Sequence, residues 1–355
     1  MKTNGRKLLA WMLSMSMLLG LTACGNIEVE SKPDAPASSG KSSEAQTADT
    51  TVLKIGHTYA LEDNFAKSIE MFANLVTERS EGRYRIDVYG AGQLGGTYES
   101  IEACASGNQQ MCGDSISSFD NINPLGDIEA YPFLFDNAEQ VKAFISDDLS
   151  KEYLEAVAGD DFHFLGLQFR GARFLQTTVP VRSIKDLKGL KLRTPPMKVT
   201  NRPWAILGCA TVAVDMTEIY TALQQGAVEG QENPLFTSYS SGFFEIEKYL
   251  MNTRHVFGMQ AFAFNKKLWE SFSPEDQQMF EACAKEAADW RTSLEIEKET
   301  EYIQLAQDNG MEYIELEDLD AWKETIKEPM LKEYENVEGF NDWVAKIQAF
   351  AANVG

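Results

Sequence analysis

The chain has 355 residues, 44% of them hydrophobic, and carries 54 acidic against 32 basic side chains for a net charge of −22. That is ample material for a large core, and more chain than one hydrophobic nucleus usually holds. The acidic balance excludes nucleic acid as a partner, because phosphates require a basic face. The same field repels small anions at long range, so an anionic ligand would need arginines placed locally in a sheltered cleft.

The N-terminus reads as an export signal. Lys2, Arg6 and Lys7 precede an apolar stretch from Leu8 to Leu21, which is too short for a stable spanning helix and is flanked as secretory leaders are. The stretch ends in Leu21-Thr22-Ala23-Cys24, small residues before a cysteine, which is the form of a bacterial lipobox. Residues 1–23 are therefore expected to be a lipoprotein signal peptide, with Cys24 lipidated as the first residue of the mature chain. Residues 24–51 are mostly Ser, Ala, Pro, Asp and Lys with almost no large apolar side chains, a composition that predicts a disordered tether. An extracytoplasmic protein, lipid-anchored to the cell membrane at the cell surface or in a periplasm, is the expectation.

The remaining chain opens with Val52-Leu53-Lys54-Ile55-Gly56-His57, an apolar-rich strand, and continues with Phe65, Ile69, Phe72 and Val76 at helical spacing. Tyr84 to Tyr89 alternates with period two, then Gly90-Ala91-Gly92-Gln93-Leu94-Gly95-Gly96 leads into a helix running from about Glu99 to Ala105. These glycines have neither dinucleotide-fold nor P-loop spacing, so they are weak evidence for phosphate binding. Alternating strands and helices imply an α/β sheet with ligand loops at the carboxyl ends of its strands.

A second unit starts near Arg173. Residues 184–193 read as a helical turn, a stop at Gly189 and a strand ending at Arg193, after which Pro195 and Pro196 turn the chain away. Asp215-Met216-Thr217-Glu218 has the form of a helix start, with Tyr220, Leu223 and Gln224 carrying it to Gly226. Ser273 and Pro274 cap a long helix whose predicted apolar stripe is Met279, Cys283, Ala287, Trp290 and Leu294, stopping at Asn309-Gly310. At 1.5 Å per residue it would be about 50 Å long.

Reactive chemistry is sparse in this sequence. Cys104, Cys112, Cys209 and Cys283 include no C-x-x-C pair, and His57, His163 and His255 match no zinc or nucleophile pattern. No metal, cofactor or catalytic group is expected. Cys104 and Cys112 are either joined or, like most scattered cysteines in a large core, free.

Residues 218–234, Glu218-Ile219-Tyr220-Thr221-Ala222-Leu223-Gln224-Gln225-Gly226-Ala227-Val228-Glu229-Gly230-Gln231-Glu232-Asn233-Pro234, closely resemble a signature of the extracytoplasmic solute receptors of tripartite ATP-independent periplasmic (TRAP) transporters. Gln93-Leu94-Gly95, Tyr131-Pro132-Phe133-Leu134-Phe135 and Leu187-Lys188-Gly189-Leu190-Lys191-Leu192-Arg193 add three segments in the same order, and the resemblance covers about Leu53 to Ala306. It implies a two-domain, periplasmic-binding-protein-like α/β fold with hinge strands and a long domain-crossing helix. The expected domains are residues 52–170 with 259–298, and residues 171–258 with 299–355. It also implies that Arg193 grips a ligand carboxylate, that Arg173 and Asn233 line the site, and that membrane permease subunits receive the cargo.

Asp114 falls at a position that is acidic in sialic acid binders, and Thr58 lies where the first strand's loop meets the ligand. For both, a capping or turn role is the competing reading. Asp215 stands where relatives place a small or apolar residue, with Met216 beside it. As a helix cap it needs no ligand, but it could accept hydrogen bonds from ligand hydroxyls. Pro196, Asn201 and Pro203 interrupt a stretch that runs straight into a helix in relatives, so the loop after Arg193 is expected to have its own shape. Arg170 and Gln168 add donors near the hinge and Trp204 could offer a flat apolar face, although such residues are more often structural than functional. Together these residues favour a small anionic organic acid with hydroxyls, such as a uronate or aldonate. The alternatives are a four-carbon dicarboxylate held by Arg173 and Arg193, and an ABC-type or sensor binding protein.

Overall fold

The computed structural model of the protein describes residues 50–354, so the leader, the tether and Cys24 lie outside the described residues. Ten strands carry the architecture: β1 (Thr51–Gly56), β2 (Tyr84–Tyr89), β3 (Met111–Ser115), β4 (Phe162–Thr177), β5 (Lys191–Thr194), β6 (Ala210–Ala213), β7 (Gly230–Pro234), β8 (Tyr249–Met251), β9 (Phe257–Asn265) and β10 (Glu312–Ile314). The helices are α1 (Asn64–Arg79), α2 (Thr97–Ala105), α3 (Ala138–Ser146), α4 (Asp148–Ala158), α5 (Lys198–Ile206), α6 (Ile219–Gln224), α7 (Leu235–Ser240), α8 (Lys266–Ser271), α9 (Pro274–Asp308), α10 (Leu319–Glu333) and α11 (Phe340–Ala352).

The sheet is shared by two lobes. In the first, β1 pairs in parallel with β2 and β3, and β9 runs antiparallel between β3 and β4. In the second, β5 lies parallel to β6 and β7, while β8 pairs with both β4 and β10. The 16-residue β4 belongs to both: Phe162 to Ala172 pairs with β9, and Arg173 to Thr177 pairs with β7. Its ladder slips between Leu165 and Gln168 and again between Phe169 and Gly171, where Gly166 (φ 61°) and Gly171 (φ 97°) adopt conformations that a side chain would strain. Bulges and glycines at the crossing point are what a hinge strand requires.

Local sequence explains the main elements. Asp63 Oδ1 accepts the Phe65 amide at 2.7 Å to start α1, and Phe65, Ile69, Phe72 and Val76 are all fully buried on one face. Burial of each such side chain contributes about 1.5–3 kcal/mol. Ser273 Oγ accepts the Asp276 amide at 3.1 Å, Pro274 is the first residue of α9, and the 35-residue helix packs on both α1 and β4 of the first lobe and α7 and β10 of the second.

Its buried face differs from the expected stripe. Phe280, Cys283, Ala284, Ala287, Ala288, Arg291 and Glu295 are inside, whereas Trp290 is 37% exposed. The buried Arg291 and Glu295 explain the error, because two charged residues at i and i+4 masked the apolar face. The loop after β5 is short, residues 195–197, before the chain enters α5, and Pro203 sits within that helix.

At the C-terminus, α10 and α11 fold back so that Phe350 meets Phe144 and Trp343 meets Tyr153, with Lys346 bonded to Glu152 at 2.7 Å. All four described cysteines are buried and free, which leaves Cys104 and Cys112 unjoined.

Candidate ligand-binding site

Between the lobes lies a cleft with about 590 Å³ of empty space, its open mouth included. The first lobe contributes Thr58 and Tyr59 after β1, Thr97 and Tyr98 from α2, and Asp114, Ser115, Ser117 and Ser118 from the end of β3. The second contributes Arg193 at the end of β5, Pro195 to Met197, Thr200, Asp215, Met216 and Asn233, with Arg170 and Arg173 entering from β4. All seven expected ligand residues therefore line one cavity.

Their electrostatic situations differ. Arg173 is bidentate on Glu232, with Nη2 at 2.8 Å from Oε1 and Nε on Oε2, and Nη2 also donates to the Glu232 carbonyl. His255 Nε2 lies 3.0 Å from the same carboxylate, and Thr253 Oγ1 lies 2.9 Å from its Nδ1. Burial alone would raise the Glu232 pKa, but the Arg173 charge and the hydrogen bonds from Arg173 and His255 hold it down at about 2. Arg173 is thus neutralised by the protein itself.

Arg193 is 2% exposed and has no carboxylate within ion-pairing distance among the described residues. Its Nε donates to the Val214 carbonyl at 2.8 Å, which fixes the plane of the guanidinium, and its two Nη groups donate to no described residue. Burial lowers its pKa to about 9, with Glu232 opposing and Arg173 reinforcing the shift, so it remains cationic at neutral pH. A buried cation of this kind costs free energy unless an anion meets it.

Asn233 is locked by donating to Gln231 Oε1 at 2.6 Å and accepting from Arg170 Nη2 at 3.3 Å. Asp114 Oδ1 accepts Tyr59 OH (3.0 Å), Ser118 Oγ (2.9 Å) and the Ser115 amide (2.7 Å), while Oδ2 takes only Thr97 Oγ1 at 3.3 Å. Asp114 does not cap the following turn, whose N-cap is Ser115; Oδ1 is filled by protein donors and Oδ2 keeps room for another donor. Thr58 Oγ1 is 3.2 Å from Thr97 Oγ1. Asp215 is half-buried and does cap the turn before α6, accepting the Thr217 amide at 3.2 Å.

Residues outside the expected set complete the lining. Glu129 takes Ser117 Oγ at 2.7 Å and the Met259 amide at 2.5 Å, and Tyr98 OH reaches across to the Pro196 carbonyl at 3.2 Å. Arg170 is the important omission. It sits three residues before Arg173, and the register shift of β4 falls on Arg170 itself, between Phe169 and Gly171, so strand alternation gives no sign that both face the cleft.

A family model described as bacterial extracellular solute-binding protein, family 7, matches residues 55–336. The chain belongs to this family. Family 7 members include the solute-binding proteins of TRAP transporters, substrate-binding receptors rather than enzymes, and they work outside the cytoplasm. A solute-binding protein from Verminephrobacter eiseniae is 32% identical over 69% of this chain and 73% of its own length. Among solved structures, a sugar acid binding protein from Advenella mimigardefordensis in complex with galactonate superposes with TM-score 0.81 at 22% identity, covering 86% of this chain and 99% of that one. A TRAP periplasmic solute binding protein from Polaromonas sp. JS666, bound to D-erythronate, gives TM-score 0.79 at 26% identity, covering 84% and 98%. Among the described residues no helix is long and apolar enough to cross a membrane, and no group of His, Cys, Asp and Glu is arranged to hold a metal.

Proposed function

We propose that this protein captures a hydroxylated organic acid, a uronate or an aldonate, on Arg193 and presents it to the membrane permease of a TRAP transporter. The observation carrying this reading is the buried Arg193 guanidinium with Nε anchored and both Nη groups free of protein acceptors. That geometry suits end-on, two-pronged recognition of a carboxylate. Hydroxyls of the ligand are matched by Thr58, Thr97, Ser117, Asp114 Oδ2 and Asp215 around the same cavity. The galactonate and D-erythronate carried by two structurally similar proteins support a sugar acid. A four-carbon dicarboxylate fits less well, because Arg173, which would hold its second carboxylate, is bidentate on Glu232.

The lobes move as residues 52–170 with 259–298 against residues 171–258 with 299–355, closing when the acid bridges them, since a ligand drives closure only through its better contacts in the closed state. Cys24 carries the lipid, and residues 24–51 tether the folded part to the membrane. Native mass spectrometry of protein purified without added ligand tests the cargo. A bound mass matching a hexuronate or aldonate supports the reading, whereas malate or succinate refutes the sugar-acid assignment. Release of a Cys24→Ser variant from the membrane fraction tests the anchor.

A further inference from the structure

Arg170 is 5% exposed, lines the same cavity, and like Arg193 has no carboxylate within ion-pairing distance among the described residues. Its position is built. A Cβ on Gly258 would lie 2.9 Å from Arg170 Cγ and Cδ, so the glycine makes room for the arginine stem on the neighbouring strand. The guanidinium stacks 5.5 Å from the Tyr59 ring centroid, Nη1 donates to Ser115 Oγ at 2.7 Å, and Nη2 donates to Asn233 Oδ1 at 3.3 Å. Nε is enclosed and has no partner.

Arg170 and Arg193 therefore offer different faces to a ligand. In Arg193 the two Nη groups are both free, and a carboxylate can take them together. In Arg170 each Nη already serves a neutral oxygen, and the side-on pair of Nε and Nη2 is shut because Nε is enclosed. What remains is one N–H on each Nη, against the two that each Nη of Arg193 keeps.

Charge points the same way. The three arginines of the cleft are matched by Asp114, Glu129 and Glu232, all buried, with Asp215 adding a fourth acid at the mouth. Asp114 and Glu129 both act on Arg170 electrostatically, and Asp63 adds to them. The cavity thus holds no surplus positive charge for a second carboxylate, which would meet these acids in a medium where like charges repel strongly.

Resting on the reading of this protein as a receptor for hydroxylated acids, we propose that Arg170 is a specificity-determining contact for an uncharged oxygen, so that the cleft selects monoanionic hydroxy acids over the corresponding diacids.

Calorimetry with matched pairs tests it: D-erythronate against meso-tartrate, D-gluconate against D-glucarate, and D-galactonate against galactarate, each titrated into the purified protein. Within every pair whose monoacid binds, the diacid is expected to bind at least about tenfold more weakly. Equal or tighter binding of a diacid overturns the inference and leaves the hydroxy-acid receptor standing. Binding of no acid, mono- or dianionic, overturns both. Arg170→Gln, checked for folding by its melting curve, is expected to weaken the preferred monoacid at least about tenfold. Undiminished affinity in that variant rejects Arg170 as a contact, and the matched pairs on the parent protein decide the question if the variant does not fold.

Discussion

The cleft treats its arginines in two ways. Along its floor, Arg173 is closed into a buried chain with Glu232, His255 and Thr253, in which the donors and acceptors meet one another. On its wall, Arg193 and Arg170 are equally buried but lack a carboxylate partner. Residue type and burial are the same, so the difference lies in whether a carboxylate of the fold bonds the guanidinium directly. An arginine bonded directly to a carboxylate of its own fold serves architecture, and one whose acids stand off keeps N–H groups for a ligand. Binding strength at such a site comes from a cost already built into the unliganded protein.

The sharpest break of this contrast is Arg193→Ala. Loss of a desolvated charge contact to a carboxylate typically removes about 2–5 kcal/mol, so affinity for the acid should fall at least about 30-fold in calorimetry. The melting temperature of the unliganded protein should not fall, because no ion pair is lost. A variant that loses stability but keeps its affinity would place Arg193 with the structural arginines.

Glu232→Gln should do the reverse and unfold the floor. Breaking one partner of a buried ion pair costs about 3 kcal/mol, measured as a shift in the denaturant midpoint. The effect has a pH signature. Folding holds the Glu232 pKa at about 2, below its ordinary value of 4.5, so its stabilising contribution is complete above pH 4.5 and is lost as the pH falls toward 2. The gap between parent and variant should shrink over that window, and a gap independent of pH would mean that the carboxylate charge is not what holds Arg173.

Much of this was legible in the sequence because the decisive residues end regular elements. Arg193 closes a short strand before two prolines, Asp215 caps a turn, and the stripe from Phe65 to Val76 has helical period. The misses share one physical cause, polar residues on buried faces. Arg291 and Glu295 lie on the buried face of α9 in an apolar pattern's place, Glu295 accepting from Asn64 of α1, and this puts Trp290 on the other face. Arg170 escapes strand alternation because the register of β4 slips at Arg170 itself, and the slip becomes visible only when the partner strand β9 is in place. Glu129 owes its position at the cleft to a 3₁₀ turn, residues 124–130, that has no periodic signal of its own.

Two smaller effects sharpen the contrast at the mouth of the cleft, where the lobes touch. A Cβ at Gly96 would come 3.2 Å from Asp215 Oδ2, tighter than comfortable contact, although its φ of −69° suits alanine well. Gly96→Ala should therefore leave the fold intact and hinder full closure, raising the dissociation rate of the acid by about three- to tenfold in stopped-flow measurements, since interface changes act mainly on dissociation. An unchanged rate would mean that Gly96 and Asp215 are not in contact in the bound state.

Asp215→Asn is expected to be the mildest change, and it separates two roles of one side chain. Asparagine caps a turn about as well as aspartate, so the contact to the Thr217 amide survives and stability should stay within about 0.5 kcal/mol of the parent. What changes is the charge facing the cavity. If Asp215 accepts hydrogen bonds from ligand hydroxyls, the variant should bind an aldonate about fivefold more weakly, because hydrogen bonds to a charged acceptor are the stronger kind. An acid without hydroxyls should bind the variant more tightly, freed from repulsion by the carboxylate. Tighter binding of both acids would reduce Asp215 to a repulsive charge at the cleft mouth, and the choice of a hydroxylated cargo would then rest on Asp114 Oδ2, which takes only Thr97 Oγ1, and the neutral oxygens beside it.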